Sequence, residues 1–270
     1  MDIFYFQLLL SFLVGGGYIA FTIWLSEKFG SKIGGIAIGL PSTVLISFIF
    51  IAWTSDLGAA VAAAPITPVG TGATILFVSA FIYLYKMGRK TALAIALLIW
   101  ALISIPLVLL HLDNILYALL VAAVLFAISF AYLRRFPHSK LPEIRPSIGE
   151  LLFRCIFAGL VVACAVFLAH TLGPLWGGIF GAFPAAYSTS MFLISKKHGI
   201  GFTASVARSM AFGSIANVVF EVAFYFLALP LGLWGGIASS YAVSFATAVL
   251  LYGFFMNENP RNIKMEKGVF

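Results

Sequence analysis

Charge is scarce in this chain. Asp, Glu, Lys and Arg make up only 9% of its 270 residues, while 62% are apolar; a soluble domain carries about 25% charged residues. That deficit excludes a water-soluble fold of this length and indicates a polytopic helical membrane protein. Regular polar–apolar alternation is missing too, as stretches such as Thr91 to Leu110 and Val161 to Ala169 show. A transmembrane β-barrel is thereby excluded.

Cysteine is almost absent. Cys155 and Cys164 stand nine residues apart in one apolar segment. Nine helical steps put them on opposite faces and about 13 Å apart along the axis, beyond disulfide reach. They are expected to be two small buried apolar residues. The sequence carries no zinc, haem or redox pattern and no Walker-type phosphate loop, so no metal, no other cofactor and no ATP-driven cycle are expected. The first apolar segment lacks a preceding basic region, with Asp2 the only early charge; it is expected to stay as a helix and not to be cleaved.

What the chain does have is a repeat. Gly34-Gly35-Ile36 followed by Pro41 recurs as Gly177-Gly178-Ile179 followed by Pro184, and 184 − 41 = 143. The same offset relates Gly30 to Gly173, Ser47 to Ser190, Gly70 to Gly213 and Thr71 to Ser214. Duplicated segments broken by proline are characteristic of carriers built from internal repeats.

Apolar stretches of about 20 residues cross a bilayer, and nine are expected: 4–26, 32–53, 66–86, 91–110, 114–133, 151–171, 175–195, 204–230 and 233–256. All sixteen basic residues fall at alternate connections or near them, for example Lys86, Arg89 and Lys90, then Arg134 and Arg135, then Lys196 and Lys197. The other connections hold Asp56, Asp113, His111 and His170. The positive-inside rule then puts the N-terminus outside the plasma membrane and the C-terminus in the cytoplasm. This placement assigns the net charge of +7 to topology and not to nucleic acid.

Five spans precede the second copy, so the copies are expected to be inverted about an axis in the membrane plane. The expected fold is all-α: a first four-span repeat at 1–111, an inverting span and cytoplasmic linker at 112–149, and a second four-span repeat with a tail at 150–270.

Pro41 and Pro184 sit near the middle of their spans. Proline deprives the carbonyl four residues back of its partner, here Ala37 and Phe180. Hydroxyls follow each break: Ser42 and Thr43 in one copy, Ser188 and Thr189 in the other. Polar groups recur in the next span, with Thr71 and Thr74 matching Ser214 and Asn217. Glu221 is the only carboxylate deep in any expected span, and Ser214, Asn217 and Glu221 share one helical stripe. An intramembrane acid is costly and must face the bundle interior or a wet cavity; low dielectric favours its neutral form. These eleven residues, Pro41, Ser42, Thr43, Thr71, Thr74, Pro184, Ser188, Thr189, Ser214, Asn217 and Glu221, are the candidate site for a small solute or an ion. Arg208, about 20 Å from Glu221 along a helix, is expected to reach the cytoplasmic interface, and Trp100 to pack mid-span.

The second half resembles the small four-span GlpM-like membrane proteins. Leu151 to His170 stands as the first span and Gly177-Gly178 leads to Phe183-Pro184. Arg208, Met210 and Gly213 enter the third span, and Trp234 opens the fourth. The first half departs from the pattern at Pro65, where Arg208 has its counterpart. The resemblance implies an architecture and not a substrate. The expected activity is that of a secondary transporter or permease, coupled to protons or sodium. A lipid scramblase or helper subunit, and a membrane-embedded lipid enzyme, are the alternatives; no nucleophile–base pair supports the enzyme.

Overall fold

A computed structural model describes residues 3–27, 37–38, 40–136 and 147–257. Gly34-Gly35-Ile36, the linker prolines Pro137, Pro142 and Pro146, and the tail cations Arg261, Lys264 and Lys267 lie outside them. The described residues are helical throughout, with no strand among them. We label the helices α1 (Ile3–Glu27), α2 (Thr43–Thr54), α3 (Leu57–Ala63), α4 (Thr67–Leu84), α5 (Arg89–Leu109), α6 (Ile115–Leu133), α7 (Ile148–Leu172) and α8 (Pro174–Gly181). The last helical run, Ala185–Asn257, leaves helical backbone angles at Gly199 (φ 75°) and Gly232 (φ 72°). It therefore consists of α9 (185–198), α10 (200–231) and α11 (233–257). Glycine meets no Cβ penalty at such angles, so the chain turns there without strain.

Polar caps start the helices that begin in open connections. Asp56 accepts the backbone N–H of Ala59 at 2.7 Å, and Asn114 accepts that of Leu116 at 2.9 Å. Ser147 and Glu150 form a reciprocal capping box at the start of α7.

The outer surface is apolar, and polar side chains are sheltered within an otherwise apolar interior. Leu110, Leu250, Leu102 and Ile3 are all largely exposed, whereas Ser47, Thr67, Ser104, Ser129, Ser214, Ser240 and Glu221 are fully buried. Water penalises that distribution, and a hydrocarbon solvent favours it. Many buried hydroxyls are satisfied by their own helix, as in Ser79 to the Ile75 carbonyl (3.0 Å) and Ser129 to that of Leu125 (2.8 Å).

Six helical stretches are long and apolar enough to span a membrane: Ile3–Leu25, Leu57–Met87, Arg89–Leu109, Ile115–Leu133, Ile148–Leu172 and Pro174–Leu251. Nine separate spans were the sequence expectation. The difference has physical causes. The Pro41 break leaves α2 only 12 residues long, and the final stretch carries three expected spans in one helical run. A boundary also moves: the span expected at 66–86 begins at Leu57, because a 3₁₀ turn at Ala64–Ile66 lets the helix continue through Pro65. Both cysteines are free, as the spacing predicted.

The tightest seam joins α1 to α7. The helices run antiparallel: the Phe4 ring stacks on that of His170 with centroids 4.1 Å apart, while further along α1 Gly16 meets Cys155 and Gly159. A Cβ on Gly16 would lie 2.3 Å from the Cys155 carbonyl oxygen, and one on Gly159 would lie 2.5 Å from that of Phe12. Both positions need glycine because backbone, not a movable side chain, occupies the space. Helix α4 packs on α5, α6 and α10, and so crosses the middle of the bundle.

Candidate functional site

The polar stripe of α10 meets α4 in the bundle interior. Thr71 Oγ1 donates to Glu221 Oε1 at 2.6 Å. Asn217 Nδ2 donates to Thr71 Oγ1 at 2.9 Å and to Glu221 Oε1 at 3.0 Å. The threonine's single proton goes to the acid, so its lone pairs serve the asparagine, and the three side chains close a triangle. Glu221 is fully buried, and its other oxygen, Oε2, has no partner; neither has Asn217 Oδ1. No cation is paired with this carboxyl group among the described residues.

Phe220 and Phe224 stand next to the acid in sequence, and Phe48 of α2 stacks on Phe224 with centroids 4.5 Å apart. All three rings and Glu221 are fully buried. Low dielectric around the buried carboxyl group strengthens each hydrogen bond to it.

Beside the triangle lies a cavity of about 30 Å³ between the two proline breaks, lined by Ser42, Thr43, Thr71, Thr74, Ala182 and Asn217 among others; Glu221 is not in its wall and meets it through Thr71 and Asn217. Since about 10–15 Å³ suffices for one water, the cavity admits water or a small cation and is closed to larger solutes.

The two breaks do not free the carbonyls that the sequence reading named. Leu40 N–H donates to Ala37 at 3.2 Å and Phe183 N–H donates to Phe180 at 3.1 Å, so tighter i→i−3 turns satisfy both. The carbonyl left toward the cavity is that of Ala182, two residues before Pro184. It accepts from Thr74 Oγ1 at 3.2 Å, which ties the second break to the first half of the chain.

Eight of the eleven expected residues gather around this centre or its walls. Glu221, Asn217 and Thr71 form the triangle, and Thr74, Ser42 and Thr43 line the cavity. Ser214 donates to the Met210 carbonyl at 2.9 Å and accepts from Tyr187 at 2.6 Å, and Tyr187 itself lines the cavity. Pro184 is buried in the break between α8 and α9. Pro41 lines a neighbouring cavity with Tyr18 and Tyr241. Ser188 and Thr189 turn away into a groove against α5 and α7, and Thr189 donates to the Ala185 carbonyl at 3.0 Å.

Sequence reasoning missed Tyr187 and the Ala182 carbonyl. Tyr187 follows Pro184 by three residues, and a hydroxyl-bearing ring inside an apolar span was the available signal. Trp100 packs as expected, and it also donates Nε1 to the Gly70 carbonyl at 3.2 Å while meeting Phe183 edge-on at 5.0 Å. Arg208 is buried and donates to the Phe136 carbonyl at 3.1 Å, just past the end of α6. A carbonyl freed at a helix C-terminus gives the guanidinium a partner at the end of α6 expected to face the cytoplasm. Helix α10 is continuous from Arg208 to Glu221, so the two charges stay apart.

Thr71→Val is expected to leave Glu221 Oε1 and Asn217 Nδ2 short of a partner. Such a loss in a buried network costs about 1–3 kcal/mol. The unfolding midpoint in detergent should fall, and Thr71→Ser should restore it; a Val variant as stable as the wild type would show that the triangle adds nothing to stability. No family model matches the chain, and no curated protein and no solved structure matches it.

Proposed function

We propose that the chain is a secondary transporter for a small solute, coupled to a proton or a sodium ion at Glu221. It works by rocking one four-helix half against the other across the cavity between the proline breaks. The observation that carries this reading is a small cavity between the two breaks whose wall holds Thr71 and Asn217, the two hydrogen-bond donors to the deep acid. A fully buried carboxyl group without a cation partner either keeps a proton or takes a monovalent cation. Either state is a natural load for a carrier.

In this reading the halves are inverted copies, each of four spans, joined by α6. The α1–α7 seam supports it. Gly16 and Gly159 are matched by the 143-residue offset, as are Phe12 and Cys155, and each glycine abuts the other pair's carbonyl. Such reciprocity is what a two-fold axis across antiparallel helices produces. Helix breaks recur as well: Ser55-Asp56 corresponds to Gly199, and Gly88 (φ 99°) falls one residue from the position matching Gly232. We further propose nine spans in the plasma membrane, with the N-terminus outside and the C-terminus in the cytoplasm, and kinship with the GlpM-like architecture.

Alternating access has a test that requires no substrate. In a Cys155→Ser, Cys164→Ser background, Thr43→Cys and Ala186→Cys, both in the cavity wall, should react with impermeant maleimide applied from either side of the membrane. Cysteines at Asp56 and Asp113 should react only from outside, and those at Lys86 and Lys196 only from inside. Cavity cysteines that label from one side alone would overturn the carrier. Asp56 and Lys86 labelling from the same side would overturn the inverted repeat.

A further inference from the structure

A second concave feature lies away from Glu221, where α5, α7 and α9 meet. It is an apolar groove of about 180 Å³ lined by Leu93, Leu97, Phe153, Phe157, Ser188 and Phe192, with Thr189 in its wall. Its walls are apolar, and Ser188 Oγ, buried without a hydrogen-bond partner, presents no surface to it. What distinguishes the groove from ordinary lipid-facing surface is the cations gathered at one end. The Arg89 guanidinium lies over the Phe192 ring at 4.6 Å, and its Nε has no hydrogen-bond partner. Lys90 and Lys196 are exposed close by in sequence, and Lys197 bonds Glu150 at 2.6 Å across the start of α7.

A phosphodiester belongs at the guanidinium, which lies over the Phe192 ring at the end of the groove, and an acyl chain suits the leucine and phenylalanine walls.

We infer that the groove between α5, α7 and α9 binds one anionic glycerophospholipid, with its phosphate at Arg89 and Lys196 and a chain along Leu97 and Phe157. This assignment does not depend on transport by the chain. Native mass spectrometry of the full chain with phosphatidylglycerol or phosphatidylcholine of identical chains tests it. One phosphatidylglycerol should stay bound at collision energies that strip phosphatidylcholine. Arg89→Gln with Lys196→Gln should weaken that adduct by about tenfold or more, and Leu97→Trp should displace both lipids. Arg135→Gln, a basic site on another face, should change nothing. Equal retention of the two lipids would overturn the inference. So would an equal loss with Arg135→Gln, which would mark a diffuse field and not a site. Should Leu97→Trp fail to fold, the rim variants still decide the matter.

Discussion

Glu221→Gln is expected to reduce coupled flux to that of empty liposomes while leaving the fold intact. Glutamine keeps the side chain's length and an oxygen that accepts from Thr71 and Asn217, the two donors that hold Oε1 at 2.6 and 3.0 Å. What it removes is the ability to release a proton or ligate a cation through Oε2, the oxygen without a partner. Stability and activity should therefore separate. A neutral amide avoids the cost of a charge at this depth, about 2.5–3.5 kcal/mol on insertion scales, so thermal unfolding in detergent should shift little. Solute-evoked currents on a solid-supported membrane, screened over small solutes with proton and sodium gradients, should vanish. Glu221→Asp, one carbon shorter, should retain the charge yet lose the short Thr71 contact, and so give a reduced current with altered pH dependence. Full currents from the glutamine variant would remove Glu221 from coupling, whatever solute moves.

Substituting Gly16 or Gly159 should cost the protein much of its stability. Alanine at either site places a Cβ 2.3 or 2.5 Å from a backbone carbonyl oxygen on the facing helix. Neither helix can yield by rotating a side chain, so α1 and α7 must part. Overpacking of this type costs about 1–3 kcal/mol, occasionally more. At about 2–4 °C per kcal/mol in a chain of this size, each variant's midpoint should drop by about 2–12 °C. The two sites share one contact, so the double variant should lose less than the sum of the singles: once the first methyl has separated the helices, the second finds room. Gly17, whose Cβ would meet nothing within 4 Å, is the control, and its alanine variant should be unaffected. Strict additivity, or an unchanged midpoint for either single variant, would contradict the close seam.

The sequence by itself determined the class of the molecule and the address of its polar groups. Apolar runs too long for a soluble core require helices in lipid, because only helices and closed barrels satisfy their backbones there. Glu221 was legible for the same reason: an acid within such a run has to be sheltered by protein. Helical spacing alone placed Asn217 on its face. Tertiary structure decided the rest. That Thr71, 150 residues away, is the acid's donor depends on how α4 crosses α10, and local periodicity carries no information about that crossing. The proline breaks show the limit most clearly. Sequence located Pro184 but misjudged its consequence, because the Phe180 carbonyl was recaptured by a tighter turn and the Ala182 carbonyl turned to Thr74 of the other half. Backbone groups in a low-dielectric interior take whichever donor the packing brings within reach. Ser188 diverged from its neighbours by the same logic: a helix fixes the angle between residues, and only the surrounding helices decide whether that angle points to the cavity or to the groove.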